Sequence, residues 1–323
     1  MSKSILITYK FHSKYLSCIP KKYSIDQWKG ESLITRQEFL KRSKDKCALI
    51  IASTEVVDKE LLDKAGSNLK VISTLSAGYD HIDLQECSRR RISVGNTSNL
   101  SDDAVAEYTI GLTLATIRRF SEASSTIKEG KWFSGTDFPL WMCGIGIKNS
   151  VVGFLGAGRI GKTIMKRILS FEPEKILYNC HNPKPELKSL YNAEYVSLKD
   201  LCSKSDIIIL ICSLNPSTHR IIGKEQFSQM KPTAFLINTS RGKVIDQKSL
   251  VEALKTGQIA GAGLDVQEVE PIPKDDPLLQ LPNCLVLPHI ATATKSTHEA
   301  LISMAIDNAL SGIENCPLKS QVI

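Results

Sequence analysis

The sequence predicts an α/β protein in which parallel sheets are covered by helices, and three observations lead to that class. Short β-branched apolar runs alternate with helix-periodic segments from end to end. The runs fall into two series, which suits a chain of 323 residues, long enough for two domains that each bury a core. A glycine-rich turn opens the second series between an apolar strand and a helix.

In the first series the runs are 5–9, 48–52, 71–75 and 92–94, which predicts four short parallel strands. Between them, residues 58–65 set Leu61 and Leu62 among charges, the pattern of an amphipathic helix. Ser101, Asp102 and Asp103 are helix-entry residues for a helix over 104–120, and the first domain boundary is placed near its start. Residues 130–150, with four glycines, Pro139, Trp132 and Trp141, lack periodicity and read as a long loop or arm. The second series is 151–155, 175–179, 206–212, 233–238, 263–266 and 284–287, the six strands of a doubly wound sheet. A last helix over 294–313 follows that sheet and is expected to return to the first domain or to reach a partner subunit.

Several function classes are disfavoured. The longest apolar run, 207–212, is far below the ~20 residues of a membrane-spanning helix. The first ten residues lack the order of a secretory signal, so a cytoplasmic protein is expected. Nine irregularly spaced cysteines, never as Cys-x-x-Cys, suit neither a disulfide framework nor a zinc site, and no metal is expected; mostly buried thiols are. The net charge of +7 is spread along the chain without interleaved aromatics, which speaks against nucleic acid and for a mild field that attracts anions.

The glycine turn has two readings. Gly156, Gly158 and Gly161 fit the dinucleotide fingerprint, in which the first glycine allows a tight turn, the second admits a pyrophosphate and the third lets helix and strand pack. The helix that follows carries Ile160, Ile164 and Ile168 on one face. Residues 156–163 also satisfy G-x-x-x-x-G-K-T, the phosphate loop of nucleoside triphosphatases. A triphosphatase wants a later strand that ends in Asp, yet the 207–212 run ends in Cys212 and Ser213, and Asp265 closes only a shorter run. The dinucleotide reading explains Gly158 as well and is preferred. The carboxylate that binds an adenosine ribose in NAD enzymes is missing after the second strand of this series, where Asn179, His181 and Lys184 stand instead as donors for a 2′-phosphate. NADPH is therefore favoured, with NADH as the alternative.

Three late strand ends each supply one ionisable group: Asn238-Thr-Ser-Arg-Gly242, the 265–271 segment with Glu270, and Pro288-His-Ile290. Reduction of a 2-oxo acid needs a cation for its carboxylate and carbonyl, a proton donor and a hydride source. Arg241 can make charge-assisted, bidentate hydrogen bonds. His289 is of the residue type that titrates near neutrality and serves as acid or base. Glu270 would favour its imidazolium form.

These motifs, with Gly156-Ala-Gly-Arg-Ile-Gly161 and Gly263-Leu-Asp-Val-Gln-Glu-Val-Glu-Pro271, strongly resemble the D-isomer-specific 2-hydroxyacid dehydrogenase family over nearly the whole chain. The resemblance implies a flavodoxin-like α/β substrate domain from residues 1–103 and 295–323, with a dinucleotide-binding domain, 104–294, inserted in it. It also implies Arg241 as substrate anchor, Glu270 and His289 as proton relay, and carboxylate-binding amides at Ser76, Ala77 and Gly78. Cofactor contacts are expected from Gly156, Gly158, Arg159, Ile160 and Gly161, from Asn179, His181 and Lys184, and from Ser213, Thr239 and Asp265. Within the family, the stretch from Phe138 to Gly144 and the missing carboxylate are most similar to the glyoxylate and hydroxypyruvate reductases. Those are dimers in which an aromatic crosses to the neighbouring site, which makes Trp141 a candidate substrate residue and a homodimer the expected assembly. NAD-linked dehydrogenases of other specificity, such as phosphoglycerate, and dinucleotide-binding corepressors of the C-terminal-binding type share the trio and stay open as alternatives. Ala157 and Ala291 stand where many members have Leu and Gly.

Overall fold

The structure, a computed structural model, describes residues 3–132 and 140–323, except the side chain of Trp141. The chain forms two compact units, one of residues 1–101 and 293–323 and the other of residues 102–292.

The first unit holds a parallel sheet in the order β2-β1-β3-β4-β5, from β1 (Lys3–Ile7), β2 (Tyr23–Gln27), β3 (Ala48–Ile51), β4 (Val71–Thr74) and β5 (Ser93–Gly95). Side chains alternate between its faces, and both faces are covered, which is why the central strands read as unbroken apolar runs. Leu6, Leu49, Ile51 and Ile72 pack with Phe39, Leu61 and Leu62 from the helices Arg36–Ser43 and Lys59–Ala65. Ile5, Ile7, Ala48, Ile50 and Val71 meet Ile302, Ala305, Ile306 and Ala309 of the last helix, Lys295–Ile313. That helix starts where Thr294 accepts the Thr297 amide at 3.2 Å, and it returns the chain to the first sheet. It lies so close that a Cβ on Gly312 would sit 2.4 Å from Val71 Cβ. The expected four strands are five: β2 lies at the edge, and its Tyr-Ser-Ile-Asp-Gln sequence is too polar to read as an apolar run.

The second unit holds seven parallel strands, ordered β12-β11-β10-β9-β6-β7-β8. They are β6 (Val151–Leu155), β7 (Lys175–Asn179), β8 (Ala193–Tyr195), β9 (Ile207–Leu210), β10 (Phe235–Asn238), β11 (Gly261–Leu264) and β12 (Cys284–Val286). Six were expected; β8 is a three-residue edge strand with two exposed side chains and so leaves no apolar signal. The chain begins at β6, winds outward to β8, then crosses back to β9, so strand order reverses between β6 and β9, where open α/β sheets bind their ligands. The helix expected over 104–120 runs Asp102–Ile117, and Arg119, at φ 57°, turns the chain into a second helix, Phe120–Lys128, that the sequence left unassigned. The first of these helices packs on β11 at Gly263, where a Cβ would lie 2.2 Å from Thr116 Oγ1.

Among the described residues no helix is long and apolar enough to cross a membrane. The nine cysteines are unpaired; Cys87, Cys202 and Cys284 are buried, whereas Cys18, Cys143 and Cys316 are exposed, so the thiols are less uniformly buried than expected.

Candidate active site

Because every strand of the second unit is parallel, their C-terminal ends share one edge, and the residues singled out in this unit, Trp141 apart, stand at those ends or follow them in the chain. Gly156 follows β6 at φ 107°, and a Cβ there would meet the Ile211 carbonyl oxygen at 2.6 Å. Only glycine fits that turn. A Cβ on Gly161 would come within 3.0 Å of the Gly156 oxygen, whereas one on Gly158 would meet nothing within 4 Å. Hydrogen bonding of the Arg159–Ile168 helix begins with the Lys162 amide on Gly158 at 2.9 Å, which leaves the amides of Arg159, Ile160 and Gly161 unclaimed by the helix. A tight turn, open space at the second glycine and a helix N-terminus are what a pyrophosphate needs. The phosphate-loop alternative fares worse: Lys162 Nζ pairs with Glu186 at 2.8 Å, and Thr163 Oγ1 donates to its own helix at the Arg159 carbonyl, 3.0 Å away. Arg159 itself reaches Asp102 at 3.1 Å.

At the end of β7, residues 179–184 contain no carboxylate. The side-chain amide of Asn179 donates one of its two N–H groups to the Val196 carbonyl at 2.8 Å. His181 is exposed and Lys184 half-buried. The loop between them is closed by the Tyr178 hydroxyl, which accepts the Lys184 amide at 2.8 Å and donates to the Lys184 carbonyl at 3.0 Å. After β9, Ser213 is exposed, and its carbonyl accepts Thr218 Oγ1 at 2.7 Å.

Arg241, Glu270 and His289 follow the neighbouring strands β10, β11 and β12. Asn238 closes the turn before Arg241: it accepts from the Ser240 amide at 3.0 Å and donates to the Arg241 carbonyl at 3.0 Å. Gly242 lets that turn touch the next loop, since a Cβ would fall 1.9 Å from the Gln267 carbonyl. The Gln267 amide in turn donates to Glu270 Oε1 at 3.0 Å, and Glu270 Oε2 lies 2.8 Å from His289 Nδ1. With Nδ1 engaged, Nε2 is the nitrogen left to serve a substrate. Burial pushes the Glu270 carboxyl up, but the hydrogen bond and charge of His289, the Gln267 amide and the Arg241 charge outweigh it and hold the group below the usual carboxylate range.

Asp265, expected to contact the cofactor, is fully buried and faces its own chain. Its carbonyl accepts the His289 amide at 2.7 Å, Oδ1 the Ile290 amide at 2.9 Å and Oδ2 the Ala291 amide at 2.9 Å. Oδ1 also accepts the Tyr108 hydroxyl at 2.6 Å. On the same helix, Thr109 Oγ1 lies 2.9 Å from Thr239 Oγ1, just before Arg241. Sequence reasoning missed Tyr108, Thr109 and Gln267. Helical spacing could have put Thr109 with the buried residues Val105, Leu112 and Thr116, but nothing in the sequence pairs Tyr108 with Asp265.

In the first unit, the turn after β4 uses its carbonyls internally: Ser76 O accepts the Thr97 amide at 3.1 Å, and Ala77 O accepts Asn96 Nδ2 at 2.8 Å. The Gly78 carbonyl accepts the Ser76 hydroxyl. Among the described residues no group accepts the amides of Ser76, Ala77 or Gly78, so three donors are left for an anion. The side chain of Trp141 lies outside the described residues.

Residues 110–291 match the family described as D-isomer specific 2-hydroxyacid dehydrogenase, NAD binding domain. The chain is 42% identical over 298 residues to the human glyoxylate reductase/hydroxypyruvate reductase, covering 92% of this chain and 90% of the relative. It is 37% identical to the glyoxylate reductase of Korarchaeum cryptofilum, over 96% of this chain and 92% of that one. Among solved structures it is similar to an NADPH-dependent glyoxylate/hydroxypyruvate reductase from Sinorhizobium meliloti in complex with NADP and malonate, with TM-score 0.85, 29% identity, and coverage of 100% of this chain and 97% of that one. With the glycine turn, the trio and these likenesses together, the chain belongs to the D-isomer-specific 2-hydroxyacid dehydrogenase family and is an oxidoreductase that uses a nicotinamide dinucleotide.

Proposed function

We propose that the chain reduces small 2-oxo acids, glyoxylate and hydroxypyruvate, to 2-hydroxy acids with NADPH. The observation that carries this reading is the His289–Glu270 pair at 2.8 Å, one strand away from Arg241 in the sheet that carries the glycine turn. The human and Sinorhizobium relatives, named for these two substrates, support the substrate class.

When bound, the reduced nicotinamide supplies the hydride. Its pyrophosphate would be held by the turn at Gly156, Gly158 and Gly161 and by the amides of Arg159 and Ile160, with Ser213 and Thr239 as further contacts at the strand ends. Arg241 holds the substrate carboxylate and polarises the carbonyl, which makes carbon 2 electron-poor. In the first unit, the amides of Ser76, Ala77 and Gly78 are the donors that the family resemblance assigns to carboxylate binding. His289 Nε2 donates a proton to the oxygen that becomes the hydroxyl, and Glu270 on Nδ1 fixes the ring and stabilises its charged form. In this reading residues 1–103 and 295–323 form the substrate domain and 104–294 the dinucleotide domain.

NADPH is preferred because residues 179–184 offer no carboxylate to repel a 2′-phosphate and His181 and Lys184 are at hand to pair with one. The protein works in the cytoplasm and as a homodimer; the dimer is supported by the Phe120–Lys128 helix, which buries none of its residues, and by Phe120, Ile127, Trp132 and Leu140, each more than half exposed. Initial rates of NADPH oxidation with glyoxylate, hydroxypyruvate and other short 2-oxo acids test the reading. Turnover with the first two supports it, and none with any short 2-oxo acid overturns it.

A further inference from the structure

We infer that Tyr108 is a positioning residue for the proton relay, acting through the buried Asp265 on the backbone that carries His289. The inference rests on the proposed reduction of 2-oxo acids and adds a residue to its machinery.

His289 stands at φ 55°, the left-handed region that a residue with a Cβ rarely adopts. Such a conformation persists only where the surroundings over-determine it. Here the backbone is held by Asp265, whose carbonyl takes the His289 amide at 2.7 Å and whose carboxylate takes those of Ile290 and Ala291 at 2.9 and 2.9 Å. The backbone that runs on from His289 is therefore held where the Asp265 carboxylate sits, while Glu270 holds the ring. Asp265 is fully buried, and among the described residues the only side chain that donates to it is Tyr108, at 2.6 Å. Tyr108 belongs to the Asp102–Ile117 helix, whose next residue, Thr109, bonds Thr239 beside Arg241. One turn of helix thus braces the strand ends of both the substrate cation and the proton donor. Burial, with the hydrogen bond and charge of Asp265, pushes the Tyr108 hydroxyl well above its usual range, so it remains a donor throughout the working pH.

A carboxylate that loses one of its three donors is held less firmly, and a small error in the placement of a proton donor is costly for rate. Tyr108→Phe keeps the ring and its packing while it removes the donor. The expected result is a fall in kcat with hydroxypyruvate of about tenfold, with KM and the NADPH dissociation constant within about twofold of wild type. Amide hydrogen exchange at residues 289–291 is expected to quicken. In an Asp265→Asn background, Tyr108→Phe should add less than about a twofold further loss, because the two residues act in series. A Tyr108→Phe enzyme with wild-type kcat and wild-type exchange would overturn the inference, and so would a full tenfold cost on top of Asp265→Asn. A wild-type protein that turns over no 2-oxo acid removes the proposed function instead, and the exchange comparison, which needs no turnover, still decides whether Tyr108 holds the His289 backbone.

Discussion

The loops that follow β12 and β7 leave the same edge of one parallel sheet, yet they are held differently. After β12, His289 is pinned through three amides on a fully buried Asp265, braced by Tyr108, and its ring is tied to Glu270 at 2.8 Å. After β7, the backbone is closed by Tyr178, but His181 stands exposed and Lys184 half-buried. A proton donor must be held within about 0.5 Å of its productive position, which a buried polar network provides. Discrimination between two dinucleotides needs only a change in charge and donors near a solvent-exposed phosphate. The strand ends therefore divide the labour: the rate should be sensitive to buried groups at the β10 to β12 ends, and cofactor preference to surface side chains at the β7 end.

The largest effect is expected from His289→Ala, which removes the proton donor and should lower kcat by about a thousandfold. Steady-state rates at saturating substrate check this, and a normal kcat would refute the proton-relay role. Arg241→Ala should reduce kcat/KM for hydroxypyruvate by about a hundredfold, the scale of one or two lost charge-assisted hydrogen bonds at ~1.5–3 kcal/mol each. An unchanged specificity constant would move the substrate anchor elsewhere.

Glu270→Gln is next, with a rate loss of about tenfold expected because the imidazolium loses its charged partner. It also carries a signed pH dependence. The folded Glu270 carboxyl is held below its ordinary value, burial being outweighed by His289, the Gln267 amide and Arg241. Its contribution to stability is therefore present above the ordinary carboxylate range and is lost as pH falls through the lowered value. The difference in Tm between wild type and Glu270→Gln should be widest near neutrality and should close on acidification; a difference that stays constant with pH would contradict the pairing. The smallest effect belongs to the β7 end, where Lys184→Ala should lower the preference for NADPH over NADH by roughly threefold to tenfold in kcat/KM. A preference for NADH in the wild type would overturn that part of the account.

Sequence and structure agree where a physical constraint leaves a local mark. The central strands are apolar because helices cover both faces, so β6 and β7 are readable to the residue, and Gly156 is readable because the turn tolerates no Cβ. The trio is readable because each member follows a strand and has a distinctive charge. What escaped is what long-range packing decides. The edge strands β2 and β8 are half polar, and the break at Arg119 depends on a left-handed turn that arginine does not advertise. Asp265 was visible as a strand-end acid, but its inward orientation depends on Tyr108, 157 residues away, and Asn179 was visible as a donor while its partner, Val196, was not.

One crossed measurement tests the division of labour most directly: kcat at saturating NADPH and the NADPH dissociation constant, each determined for His289→Ala and for Lys184→Ala. His289→Ala is expected to lose turnover and keep its NADPH affinity within about twofold, while Lys184→Ala keeps its kcat and binds NADPH severalfold more weakly. If either substitution damages both quantities together, the two strand ends are not separate devices and the account fails.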